Sequence, residues 1–395
     1  MAALPQPAPG RRSTSHSDFG AERELLLAAC SASTDNTSRI RELLSGEVHW
    51  TGFVSLAEQH GVVPLVLRRF GTLPEVVPPD ALTLLGRSAH SNTYRSLWLT
   101  GCLTRVLDHL EKSGVAALAY KGPVLSQVLY GDVTMRQFAD LDLLVQASDV
   151  PRALDALSQL GHVPSLRLSP RQQKAFLASG YEYALSGPFR TMVELKWRVL
   201  PRFYAVDFDI SEFFSRSLMV SVAGHTLPTF CHEDSLLVLC AHAAKHVWQK
   251  LSWICDIAQL VRSQKLDWNE VQRQAQRLGL QRIVAVTFLL AERLLHASLP
   301  SSVRSYLQTD SKATELLCRI LPTMLQAPGE YDVESVPYFR LMAALRERRR
   351  DRVRFFWRLA VTPGVGEWSA VQLPAPLFPL YRVVRMYRLG RRLFS

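Results

Sequence analysis

The sequence lacks most of the features that would place it quickly. Its six cysteines, Cys30, Cys102, Cys231, Cys240, Cys255 and Cys318, form no Cys-x-x-Cys pair. Neither a zinc site nor a disulfide framework has its usual spacing, and the cysteines read as small buried hydrophobes of a reducing cytoplasm. No apolar run approaches the ~18 to 20 residues that a spanning helix requires, which argues against an integral membrane protein. The first eighteen residues are rich in Pro, Ser and Ala without an apolar core, so they read as a loose tail and not a signal peptide. His242 and His246 share a helix face, but Ala243 stands where His-Glu-x-x-His needs its Glu, which excludes that protease signature.

What is present suffices for a sizeable core. The chain has 395 residues, 48% of them hydrophobic, enough for two or three packed units. Apolar residues at three and four spacing predict helices at 21–31, 37–44, 50–60, 64–70 and 80–111. His60 has no partner at metal spacing and reads as a helix-terminal residue before Gly61. Strand character follows at 115–120, 140–145, 162–168, 181–185, 192–199 and 218–227, with a helix at 149–160. Asp207 and Asp209 lie before a helix and read as caps. Helical periodicity returns at 233–249 and 251–261. The expected organisation is a tail (1–18), a helical N-terminal region (19–113), a mixed core (114–230), a helical C-terminal region (231–330) and a basic extension (331–395).

The core carries the chemistry. In a strand, side chains alternate faces, so Asp140 and Asp142 share one side while Leu141 and Leu143 pack on the other. Such a pair of hard oxygen ligands suits divalent cations; a half-buried strand with a polar outer face is the plain alternative. Upstream, Val115–Tyr120 runs into Lys121-Gly122-Pro123, with Pro123 in the first turn of a helix. Strand, glycine and helix N-terminus offer free N–H groups to an anion, and Lys121 adds charge. Arg136 lies in the polar connection back to the Asp-x-Asp strand.

The pattern Lys121-Gly122, Tyr130-Gly131, Arg136 and Asp140-x-Asp142-Leu-Leu-Val resembles the bacterial "uncharacterised nucleotidyltransferase" family, a branch of the polymerase-β-like nucleotidyltransferase superfamily. The resemblance implies an α+β fold: a small mixed sheet flanked by N-terminal and C-terminal helical regions. It implies a third acid on a later strand, Glu194 in the alternating stretch 190–198. It further implies that Asp140, Asp142 and Glu194 hold two Mg²⁺ (or Mn²⁺) ions, that Lys121 and Gly122 steady the phosphates of a nucleoside triphosphate, and that Arg136 meets charge developing on them. NMP would pass to an unidentified acceptor and pyrophosphate would leave. Members are often encoded near natural-product or polysaccharide genes. Two departures stand out: Lys196-Trp197 replaces the family's usual His-Trp, and Pro123 follows the glycine where the superfamily has Gly or Ser.

Segments 56–64 and 242–256 also resemble the family. His242, Lys245 and His246 either touch the triphosphate or acceptor, or form the polar edge of a packed helix with His246 paired to Asp256. Arg190, Lys196 and Arg198 either meet phosphate or form a solvated face. From Arg346 onward there are twelve arginines against Glu347, Asp351 and Glu367, most of the chain's net charge of +11. A basic amphipathic helix at 381–394 suits an anionic surface, although docking on its own domain is the plainer reading; aromatic interleaving for nucleic acid is absent. Two functional alternatives stay open: a non-catalytic nucleotide- or partner-binding protein of the same fold, and an adaptor for anionic surfaces.

Overall fold

The computed structural model describes residues 20–31, 36–301, 303–304, 310–324 and 335–393. The loose tail read at 1–18 lies outside them. Five helices come first: α1 (Gly20–Cys30), α2 (Thr37–Leu44), α3 (Trp50–Gln59), α4 (Val63–Phe70) and α5 (Pro79–Lys112). Gly61 and Gly71 follow the ends of α3 and α4, and Pro78 and Pro79 start α5, as the breakers in the sequence require.

The mixed region follows with β1 (Ala117–Ala119), α6 (Gly122–Tyr130), β2 (Leu141–Val145), α7 (Val150–Gln159), β3 (Val163–Pro164), α8 (Pro170–Ser179), β4 (Glu182–Ser186) and β5 (Met192–Lys196). The sheet order is β1-β2-β5-β4-β3. Only β2 and β5 run parallel, and the other neighbours are antiparallel. The fold is therefore α+β, a small mixed sheet set among helices.

Alternation along these strands divides the sheet cleanly. Leu141, Leu143, Val145, Val193 and Leu195 pack into one apolar cluster with Val150, Leu157 and Leu185. Leu118, Tyr120 and Leu144 face the opposite way, into the larger cluster shared with the helical regions. The polar residues Asp142, Glu194 and Lys196 have the parity of this second face, so the sheet presents them toward the helices packed there.

Three strand expectations differ from the structure. The stretch 218–227 is not one strand but the hairpin β6 (Leu218–Val222) and β7 (His225–Thr229). Ala223 and Gly224 turn it, both with positive φ, and Ala is a weak sequence signal for such a turn. The stretch 162–168 contains only the two residues of β3, at the edge of the sheet, with one further bond from the Ser165 N–H to the Ala184 carbonyl at 2.9 Å. The stretch 192–199 stops at Lys196. Helix α8 was not expected, although Ser169 and Gln172 form a reciprocal capping box that Ser-x-x-Gln spells out.

Helix α9 (Ile210–Ser215) precedes the hairpin, and α10 (His232–Lys245), α11 (Leu251–Ser263), α12 (Trp268–Leu278) and α13 (Gln281–Leu295) follow it. Asp209 caps α9 through Ser211, as read, whereas Asp207 pairs with Arg358 and Arg354 instead of capping. His60 is fully buried at the end of α3, where its Nδ1 accepts from the Leu251 N–H at 3.3 Å. Burial and nearby Arg23 and Lys250 lower its pKa to about 4, so it is neutral and ties α3 to the start of α11. Four cysteines are buried, Cys30 is half-buried and Cys318 is exposed.

Helices at Ser311–Met324, Val336–Ala344, Arg349–Val361, Val365–Ala370 and Tyr381–Leu393 complete the described helices. Glu367 is 1% exposed and binds both Arg385 and Arg388, which fastens the last helix to its own domain. No described helix is long and apolar enough to cross a membrane.

Candidate active site

Because β2 and β5 are parallel with Asp142 opposite Glu194, their carboxylates rise side by side from one face of the sheet. Asp140, immediately before β2, has the same parity and joins them. Carboxylate oxygens of Asp140, Asp142 and Glu194 lie within 4.8 Å of one another.

Two lysines enter this patch. Lys196 is 5% exposed, and its Nζ lies 2.7 Å from Asp142, 2.6 Å from Glu194 and 3.3 Å from Glu182. The sequence left Lys196 between a phosphate contact and a solvated charge; it is not solvated but buried among the acids as their counter-ion. Glu182 reaches it because β4 places that residue directly opposite in the ladder. Lys121 Nζ lies 3.5 Å from Asp142 and donates to His242 Nδ1 at 3.2 Å. The Tyr120 hydroxyl donates to Asp142 at 3.4 Å.

Burial alone would raise the Asp142 pKa, but Lys121 and Lys196 outweigh it and hold the carboxyl well below its usual range. Asp140 is shifted upward by burial and by the charge of Asp142. Glu194 is also shifted upward, by burial and by Asp142 and Glu182 against the pull of Lys196. Thus four carboxylates face two ammonium groups, and two of the acids are left short of positive charge. Converging hard oxygen donors with unbalanced negative charge fit a divalent cation such as Mg²⁺ or Mn²⁺.

The turn beside the acids is shaped by Gly122, whose φ of +55° is strained for any residue with a side chain. With Pro123 following, α6 begins with the Gly122 and Val124 N–H groups lacking intrahelical acceptors. Arg136 does not lie free beside this turn. Its Nε and Nη2 engage Asp256 at 2.8–3.0 Å, and Nη1 is 3.4 Å from the Gly122 carbonyl. Tyr130 donates to the same Asp256 at 3.1 Å. Asp256 is therefore taken by Arg136 and Tyr130, so the alternative pairing with His246 is not formed.

On the far side, the His242 ring meets those of His246 and Trp253 edge to face, and the latter two are tilted against each other, all with centroids within 5.3 Å. Burial and the surrounding lysines depress both histidines, His246 to about 3 and His242 well below its normal value. Both are neutral near pH 7 and act as hydrogen-bonding groups. Lys245 Nζ sits 5.4 Å over the Tyr181 ring. Among the described residues no carboxylate lies within ion-pair distance of it, and burial lowers its pKa to about 8. Lys245 also borders a cavity of about 320 Å³ whose opposite wall includes Thr362, Glu367 and Arg385.

Glu182 and Tyr120 were not singled out in the sequence, and Asp256 was read only as a partner for His246, not for Arg136 and Tyr130. Glu182 required the β4–β5 register, Tyr120 the face of β1, and Asp256 a contact across 120 residues; none of these is local.

Fold and acid patch together are those of a nucleotidyltransferase core. A family model described as uncharacterised nucleotidyltransferase matches residues 46–296, more than half of the chain, and the protein belongs to that family. No curated protein matches it. Among solved structures, the antibiotic-resistance factor ANT(2'')-Ia is similar at 13% identity and TM-score 0.35, over 46% of this chain and 91% of its own. The same factor in complex with adenylyl-2''-tobramycin gives 13% identity and 0.34 over 46% and 96%. An antigenic nucleotidyltransferase-like protein from Paracoccidioides brasiliensis gives 17% identity and 0.30 over 52% and 94%.

The charge balance generates a prediction. Lys196→Met keeps much of the side-chain volume but removes the ammonium, leaving the carboxylates to repel one another. Its thermal midpoint in chelator falls below wild type, and added Mn²⁺ raises it by more than it raises wild type. Differential scanning fluorimetry with and without Mn²⁺ reads both effects; an equal midpoint in chelator would contradict the assignment.

Proposed function

We propose that this protein transfers NMP from a nucleoside triphosphate to an acceptor and releases pyrophosphate. One observation carries the reading: Asp140, Asp142 and Glu194 converge beside a glycine turn and the start of a helix, where triphosphate and divalent ion would meet. The three acids would hold Mg²⁺ or Mn²⁺, which when bound supplies charge neutralisation at the phosphates and a more acidic acceptor hydroxyl.

The chain's own groups have distinct parts in this proposal. Lys121 and the N–H groups that open α6 receive the outer phosphates, and His242 orients Lys121 by accepting its hydrogen bond. Lys245 and His246 approach from α10, the first as an uncommitted cation and the second as a neutral donor. Arg136 acts at one remove, holding the Gly122 turn against α11 through Asp256. A cytoplasmic setting suits a nucleotide substrate and cysteines without disulfides.

A second reading, nucleotide binding without turnover, is favoured by the same Lys196, since an ammonium seated among the acids competes with a cation there. Labelled NMP supplied from each ribonucleoside triphosphate, with Mn²⁺ and a lysate as acceptor source, separates the two. Metal-dependent labelling of an acceptor is expected from wild type, with a loss of about a hundredfold or more on changing Asp140→Asn and Asp142→Asn together. Tight binding with no labelling would sink the transfer reading.

The depressed Lys245 adds a pH signature. Below about 8 its ammonium is charged and attracts phosphate; above that value it is neutral. Nucleotide affinity in wild type therefore falls as pH rises beyond about 8. In Lys245→Met it is weaker at neutral pH, and that part of the fall is missing. Calorimetric titration with one nucleotide across pH 6.5–9.5 checks this; parallel profiles in both proteins would refute it.

A further inference from the structure

Of the seventeen large hydrophobic side chains exposed among the described residues, ten fall between Val353 and Tyr387. They follow helical spacing. On the Arg349–Val361 helix, Val353, Phe356 and Trp357 point outward while Phe355 and Leu359 are buried. On the Tyr381–Leu393 helix, Val383, Met386 and Tyr387 point outward while Tyr381 and Arg385 are buried. The two helices pack against each other. Trp357 of the first helix and Arg382 of the second line one open groove of about 530 Å³, so these two exposed side chains share an opening.

Charge sorts in the same direction. The acids of this region lie inside: Asp351 and Glu367 are buried and Glu347 is half-buried. Asp351, Glu367 and Asp207 are paired by the inner arginines Arg348, Arg354, Arg358, Arg385 and Arg388, and Glu347 accepts from the Arg282 backbone N–H. Arg349, Arg350, Arg382 and Arg391 are exposed. Among the described residues, Arg349, Arg382 and Arg391 form no ion pair, and Arg350 forms only a long one of 3.9 Å. All of this lies beyond residues 46–296, outside the part matched to the family.

We propose that this two-helix face is a peripheral docking site for an anionic lipid surface. Aromatic side chains with an apolar body suit the headgroup boundary, and arginine stems can lie along apolar surface with their guanidinium groups at the phosphates. Val353, Val383 and Met386 have apolar tips that gain from entering an acyl region and offer no stacking plane to a base. A second copy of the chain would set the same exposed arginines against one another, which charge disfavours. The sequence reads 346–358 as a basic helix and the last helix as basic and amphipathic; that the two pack together with Trp357 outward is decided by the fold.

Co-sedimentation of the full chain with vesicles tests the proposal, comparing phosphatidylcholine alone with a mixture containing one third phosphatidylglycerol. Partitioning onto the acidic vesicles is expected to exceed that onto neutral ones by about tenfold or more, and to weaken at high salt. Phe356→Ser with Trp357→Ser, both exposed positions, should lower it about tenfold with an unchanged thermal midpoint. Arg349→Gln with Arg350→Gln should lower it by a similar factor. Equal binding to both vesicles, or wild-type binding by both double variants, overturns the proposal. So does a dimer in light scattering that the aromatic changes dissociate, or single-stranded nucleic acid that strips the chain from vesicles.

Discussion

The buried ion pair between Asp142 and Lys196 is the constraint on which the rest of the site depends. Asp142 sits on β2, beside the central strand β5 and 4% exposed, where an uncompensated carboxylate would be prohibitive, and the 2.7 Å contact to Lys196 makes its ionisation tolerable. Removing one partner of such a pair typically costs about 3–5 kcal/mol, because the other charge is stranded. The same lysine spans Glu194 and Glu182, so one side chain sets the spacing of three acids on three adjacent strands. A chain carrying the family's usual histidine at that position would balance this patch differently.

A second buried pair joins the sheet region to the helices. Arg136 and Asp256 lie 11% and 1% exposed, and through the Gly122 carbonyl the arginine also braces the turn. Helix α11 is thereby fixed to the start of α6, and α10 beside it delivers His242 to Lys121. Ordered this way, Lys121 and His242 already stand beside the acids on the side proposed to receive phosphate. Among the described lysines around the acids, Lys245 is the one without a carboxylate at ion-pair distance, which on the proposed reading marks where further negative charge would arrive.

Much of this was legible in the sequence, and the boundary of legibility has physical reasons. Period-2 alternation placed Asp140 and Asp142 on one face, and Gly122 with Pro123 announced a helix entered through a special φ. Resemblance supplied Glu194, which the parallel pairing of β2 and β5 then brought opposite Asp142. Lys196 was visible as a departure, but its burial was not, because burial depends on Tyr120 and Glu182 arriving from strands far away in sequence. Arg136 was read toward phosphate since it lies in a polar connection near the acids; its partner is a residue 120 positions later. Helix α8 could have been read from Ser169 and Gln172. The break at 223–224 carried a weaker signal, Gly224 alone, since an alanine in a two-residue turn adds almost none. The C-terminal arginines were countable, yet which ones are committed to Glu367 and Asp207 and which are free is decided by packing alone.

The central claim is that the acids around Asp142 form a divalent-cation site that works together with a nucleotide. The most direct measurement is Mn²⁺ binding followed by electron paramagnetic resonance, with and without a non-hydrolysable nucleoside triphosphate. The comparison is wild type against Asp142→Asn. The account predicts protein-bound Mn²⁺ in wild type that tightens when nucleotide is added, and loss of both in the variant. Equal Mn²⁺ binding by the two proteins, or binding indifferent to nucleotide, would contradict it.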